Sequence, residues 1–211
     1  QELVAAITVE EALKMGAARN KELALEVAKL DAQRGGYKLT AAVDGARSEA
    51  KGEAPPRVGC AVYFGCAGGQ RGGGGAPIAD AKALPPNWDI NAAEIMAAIM
   101  VLRRAVELAA VARRTDAAST YPVLLLTDSD NSLTVLEGAW RAEDLRATMG
   151  MTYGLLAEEA CWLRTRLGAL GGSLDVMRLS SHVGYIGNTI VDALAVAATR
   201  LEYATELMVS R

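Results

Sequence analysis

Four carboxylates and one imidazole are the side chains of this sequence best placed to do chemistry: Asp44, Glu94, Asp128, Asp192 and His182. Asp44 follows the apolar run Ala41 to Val43, and Asp128 closes the apolar run Pro122 to Thr127. Glu94 opens an apolar helical pattern, and Asp192 lies between Val191 and Ala193. Carboxylates gathered at one place repel one another and persist when divalent cations neutralise them. An all-oxygen donor set suits Mg²⁺ or Mn²⁺ rather than zinc. His182 is the only histidine and sits in the stretch SSHVGYIGN, just before the segment bearing Asp192. An imidazole beside such carboxylates could transfer protons or, by changing charge near neutral pH, help products leave.

Each acid also has a purely structural reading. Asp44-Gly45 reads as the turn of an Asp-Gly hairpin. Glu94, three residues after Asn91, closes a capping box on the helix that follows. Asp128, aided by Ser129, reads as a helix N-cap. Asp192 falls in the first turn of the last helix, on a partly buried face, where the macrodipole favours a carboxylate. His182 alone is a polar loop residue. The conjunction favours chemistry, because three acids stand at the ends or first turns of elements that a mixed sheet brings together. The fourth, Asp44, stands in a strand able to neighbour Asp128.

The elements that must position these residues follow from periodicity. Thr8 to Gln33 opens on the capping-box pattern Thr8-Val9-Glu10-Glu11 and carries Leu23, Val27 and Leu30 at helical spacing before Gly35-Gly36, which predicts one amphipathic helix. Lys38 to Val43, Arg57 to Ala67 and Ile78 to Leu84 read as strands. The Gly-rich run from Gly65 to Pro77 separates the last two; it lacks the Lys-Ser or Lys-Thr and the following helix of a phosphate-cradling loop, and reads as a hairpin tip. From Asn91 the stripe Ile95, Ile99, Leu102, Val106 and Ala109 predicts a long helix. Pro122 to Thr127 reads as a strand buried on both faces. Ser129 to Gly172 reads as at least two helical pieces with breaks near Gly138 to Arg141 and at Gly150, Leu174 to Leu179 as a last strand, and Thr189 to Leu207 as a last helix. That order predicts an α/β layered domain with a mixed sheet.

Composition bounds the function. At 211 residues and 51% hydrophobic content the chain supports one good core, with a small appendage to spare. A net charge of -3 argues against binding nucleic acid by a broad basic surface, so any such site must be local or metal-assisted. Cys60, Cys66 and Cys161 show no CxxC spacing, and an odd number cannot all pair internally, which points to a reducing, intracellular compartment rather than to zinc or a disulfide framework. No apolar stretch reaches the roughly 18 residues of a membrane span, so no membrane partner is expected. A chain beginning at Gln1 is compatible with a piece cut from something longer.

Four motifs together resemble the type 1 ribonuclease H family, and among its members the ribonuclease H domains of retroelement polyproteins: VDGAR at Val43 to Arg47, NAAEIMAAI at Asn91 to Ile99, LLLTDSDNSL at Leu124 to Leu133, and SHVGYIGNTIVDALA at Ser181 to Ala195. The likeness runs in matching order from Lys38 to Thr199. It implies a five-stranded mixed sheet, three antiparallel strands then two parallel ones, with helices on both faces. It divides the chain into an N-terminal helix, linker or extension over residues 1–36 and a ribonuclease H-like domain over residues 37–211.

The resemblance further implies that Asp44, Glu94, Asp128 and Asp192 hold two divalent ions, Mg²⁺ or Mn²⁺, about 3.5 to 4 Å apart. One would activate water for in-line attack on a phosphodiester and the other stabilise the leaving 3′ oxygen, while His182 assists product release. The substrate implied is the RNA strand of an RNA–DNA hybrid, whose 2′-hydroxyls neutral polar groups can sense. Gly45, Asn91, Ser129, Asp130 and Asn188 match substrate-contacting positions. Thr189 stands where the family usually has Glu, Ala46 where a small hydroxyl residue is usual, and Ile90 where a second polar residue is frequent, which implies altered substrate contacts. The expected partners are the hybrid and, through the N-terminal helix, an upstream polymerase domain or another protein. The rival readings are a noncatalytic module of this fold that contacts RNA or serves a structural role in a ribonucleoprotein, and a related nuclease such as a 3′ exonuclease or junction resolvase.

Overall fold

The computed structural model describes residues 36–49, 55–64, 79–179 and 186–201. The predicted N-terminal helix, the Gly-rich run, His182 and the chain beyond residue 201 lie outside the described residues. Among the described residues, five strands and five helices follow one another in the order β1 (Leu39–Arg47), β2 (Val58–Tyr63), β3 (Ala79–Leu84), α1 (Ile90–Thr115), β4 (Tyr121–Thr127), α2 (Asp130–Glu137), α3 (Ala142–Met149), α4 (Met151–Ala169), β5 (Gly172–Arg178) and α5 (Ile186–Ala198). They form one mixed sheet of order β3-β2-β1-β4-β5. The pairs β1–β2 and β2–β3 are antiparallel, and β1–β4 and β4–β5 are parallel.

Strand alternation divides the sheet into two apolar faces. Ala41, Val43, Val58, Cys60, Val62, Val123 and Leu125 pack with α1 and α4. Ala42, Ala46, Ala61, Leu124 and Leu126 pack with Ile190, Val191, Leu194 and Ala195 of α5. Helices therefore lie on both faces, and β4, apolar at successive residues, is buried on each side. The close seating of α5 depends on Gly59: a Cβ there would lie 2.7 Å from the Ala195 carbonyl oxygen and 2.7 Å from the Ala198 Cβ.

Three local expectations are corrected. Asp44-Gly45 is not a hairpin turn, since β1 runs on to Arg47 with Asp44 opposite Ala61 and Gly45 opposite Cys60. The long helix is capped not by an Asn91 and Glu94 box but by Asp89, whose Oδ1 accepts from the Ala92 amide at 2.9 Å. The N-cap of α2 is Ser129, not Asp128; its hydroxyl accepts from the Ser132 amide at 3.1 Å. The breaks expected near Gly138 to Arg141 and at Gly150 are present and divide the segment after β4 into three helices, with Gly138 in a left-handed conformation ending the first.

Candidate active site

The parallel pairing of β1 with β4 brings two of the acids together. Leu39 pairs with Val123 and Ala42 with Leu126. Continued by two residues, that register sets Asp44 level with Asp128. The third acid comes from the start of α1, which rests against β1 at Gly45, beside the Glu94 backbone. The carboxylates of Asp44, Glu94 and Asp128 thereby offer oxygens that all lie within 4.8 Å of one another. Asp192 lies in the second turn of α5 rather than the first, and it is exposed rather than partly buried. It stands outside this group of three, yet its charge reaches Asp44.

The electrostatics follow from that crowding. Burial, the charge of Asp128, and the charges of Asp192 and Glu94 push Asp44 up to about 8, against a hydrogen bond from the Gly45 amide to Oδ1 at 2.7 Å that pulls the other way. Burial likewise raises Glu94, helped by the charges of Asp128 and Asp89 and opposed by a hydrogen bond from the Ser129 hydroxyl. Three clustered oxygen donors with this much unrelieved repulsion fit a divalent cation of the Mg²⁺ or Mn²⁺ kind. A further oxygen adjoins them. Asn188 of α5 donates from Nδ2 to Asp128 Oδ2 at 3.4 Å, while its own Oδ1 is buried without a hydrogen-bond partner.

The turn that presents Asp128 is built by its neighbours. Thr127, buried at the end of β4, accepts from the Ser129 amide at 3.1 Å through Oγ1, and Ser129 in turn caps α2. Ser129 is 6% exposed, so its hydroxyl is occupied inside the fold, by the α2 cap and by Glu94. Asp130 is exposed and bound by Arg178, with Nε 2.8 Å from Oδ1. Asn91 is half-buried near Tyr153, whose phenol donates to Asp89 Oδ1 at 2.6 Å. Burial and that carboxylate push the Tyr153 phenol upward, with a hydrogen bond from Asn91 acting the other way.

The sequence reading missed Asp89, Tyr153, Thr127 and Arg178. Asp89 and Thr127 carried local signals, the first as an aspartate in N-cap position before a helical pattern and the second as a hydroxyl residue at a strand end two residues before a capping serine.

No family model matches the chain, and no curated protein matches it. Solved structures do. Over 77% of this chain and 96% of the other, it is similar to LC11 ribonuclease H1 in complex with an RNA/DNA hybrid, at 16% identity and a TM-score of 0.50. The ribonuclease H domain of the foamy virus PFV matches at 13% identity and a TM-score of 0.52, covering 77% of this chain and 94% of that one. A protease-reverse transcriptase of prototype foamy virus matches at 14% identity and a TM-score of 0.52, covering 79% of this chain but 21% of the viral one. The strand order, the helices on both faces and these likenesses agree with what the four motifs imply: the chain has the ribonuclease H fold.

Proposed function

We propose that this chain is a ribonuclease H, a metal-dependent endonuclease that hydrolyses the RNA strand of RNA–DNA hybrids. The observation that carries the reading is the convergence of Asp44, Glu94 and Asp128 within 4.8 Å at one end of the β1–β4 pair. Asp44, Glu94, Asp128 and the more exposed Asp192 would hold divalent cations, two in number on this reading. Cations at such a site supply Lewis-acid activation of a water nucleophile and neutralise charge at the reacting phosphate.

The chain's own residues prepare for this. Asn188 orients the Asp128 carboxylate, and Ser129 orients Glu94. Asp44, held protonated at neutral pH by burial first and then by the neighbouring carboxylate charges, would release its proton to solvent on taking up a divalent cation. His182 is proposed to assist product release, and Gly45, Asn91 and Asn188 to contact the hybrid; Ser129 and Asp130, expected beside them, have side chains engaged by the α2 cap and Glu94 and by Arg178. We further assign residues 37–211 to the catalytic domain and residues 1–36 to an extension toward an upstream polymerase domain or a partner protein. The match within a longer viral polymerase chain supports that context.

The test is direct. The protein is incubated with Mg²⁺ or Mn²⁺ and labelled RNA–DNA hybrid, double-stranded RNA or double-stranded DNA, beside Asp128→Asn. Cleavage of the hybrid alone, lost in the variant, is the expected result. A folded protein that cuts nothing under either metal is a noncatalytic member of the fold, and duplex DNA or exonucleolytic products indicate a different nuclease.

A further inference from the structure

Arg178 ends β5, and its partner in the β4–β5 ladder is Thr127, the residue before Asp128. Its guanidinium reaches Asp130, the first residue of α2 and the second after Asp128, with Nε 2.8 Å from Oδ1 and Nη2 3.0 Å from Oδ2. One hydrogen bond and one ion-pair contact, from two guanidinium nitrogens to the two carboxylate oxygens, fix the plane of the guanidinium as well as its position. A cation is thus held on the residue two positions after Asp128.

Stability does not explain the pair. The side chains are 61% and 71% exposed, and exposed ion pairs contribute only about 0 to 1 kcal/mol. The strand end is secured without them, because the ladder continues past Arg178 through a hydrogen bond from the Leu179 amide to the Thr127 carbonyl at 2.7 Å. Asp130 is favoured at a helix N-terminus with or without an arginine.

Function does offer an explanation. A chain of net charge -3 must draw a polyanion toward an acidic cluster, and that requires a local cation. The other ion-paired arginines among the described residues, Arg103, Arg104, Arg141 and Arg146, lie on α1 or at α3. Arg178 stands at the same end of the parallel strands as Asp128.

We propose that Arg178 contacts a backbone phosphate of the nucleic-acid strand bound at the Asp44, Glu94 and Asp128 cluster, and that Asp130 holds its guanidinium ready and competes with the phosphate for it. The inference rests on the nuclease reading above. A phosphate contact positions the strand without reading bases, so Arg178 acts on binding rather than on sequence preference.

The experiment compares the full chain with Arg178→Ala, Arg178→Lys and Asp130→Asn on labelled RNA–DNA hybrid in Mg²⁺ over a series of salt concentrations. Arg178→Ala raises KM about tenfold, more than it lowers kcat, and reduces the slope of log KM against log salt by roughly 1. Arg178→Lys restores the slope, and Asp130→Asn leaves KM at or below that of the parent. An unchanged KM and slope in Arg178→Ala overturns the proposal. So does a KM raised equally by Arg178→Ala and Asp130→Asn with the slope unchanged, which marks a purely structural tie. If the parent protein cuts no hybrid, the nuclease reading fails separately; the same slope comparison, made on hybrid binding by fluorescence anisotropy, then decides the role of Arg178.

Discussion

Gly45 of β1 and Glu94 of α1 meet backbone to backbone. A Cβ at residue 45 would lie 2.7 Å from the Glu94 nitrogen and 2.9 Å from the Ala93 Cβ. The absent side chain therefore sets how closely the helix approaches the strand. Because Asp44 adjoins one side of the contact and Glu94 forms the other, the same absence sets the spacing of two of the three clustered carboxylates.

Gly45→Ala tests this. The obstructing atoms are backbone and a neighbouring Cβ rather than the end of a flexible side chain, so α1 must shift, at about 1 to 3 kcal/mol. Thermal unfolding should show a lowered Tm, and cation affinity should fall further than a control variant of equal stability predicts. Gly168→Ala supplies a contrast: no atom lies within 4 Å of a Cβ there, and alanine is the better helix former by about 1 kcal/mol. Its Tm should hold or rise.

Asp44 predicts an unusual pH dependence for the metal-free protein. In the fold it keeps its proton to about pH 8, whereas its ordinary value is 3.8. Between those values the unfolded chain binds fewer protons than the folded one, so this residue's contribution to stability is full below about pH 4 and is lost as pH rises toward 8. Asp44→Asn carries no ionisation and removes that loss. In EDTA its Tm should exceed the parent's at pH 8 and converge on it near pH 4; equal Tm values at pH 8 would contradict a carboxyl raised by burial and by its acidic neighbours.

Ser129→Ala removes a cap and an anchor together. Loss of the α2 N-cap costs about 0.5 to 2 kcal/mol, measurable by denaturant unfolding. Loss of the hydroxyl's hydrogen bond to Glu94 raises that carboxylate further above its ordinary range, since this bond is what opposes burial. Thr at 129 should recover much of both. The distinguishing signature is a shift in the Glu94 titration by carboxyl NMR, which a simple capping defect does not produce.

The sheet and α1 were legible because β4 is apolar at successive residues and α1 repeats its apolar stripe over many turns. The Asp-Gly pair misled because those residues are strong hairpin formers, whereas here glycine serves a close approach inside a strand. The exposure of Asp192 was hidden for a similar reason: the α5 face that reaches the sheet runs through Ile190, Val191, Leu194, Ala195 and Ala198 and leaves residue 192 outside it. The meeting of Asp44 with Asp128 is a matter of long-range register, which no local window contains. The Arg178–Asp130 pair joins residues 48 positions apart on two exposed surfaces and had no signal in the sequence.

Cation binding should be coupled to proton release at Asp44. With this carboxyl at about 8, Asp44 carries a proton in most molecules at pH 7, and a divalent ion must displace that proton to use the oxygen. Mg²⁺ affinity therefore rises with pH, by as much as tenfold per unit below 8 if Asp44 is a ligand, and levels off above it. Calorimetric titration in buffers of different ionisation enthalpy measures the protons released: close to one at pH 7 for the parent, and close to none for Asp44→Asn, which should also bind the ion more weakly. An affinity flat between pH 6 and 9 would remove Asp44 from the ligand set, while the carboxylates of Glu94 and Asp128 could still hold a cation without it.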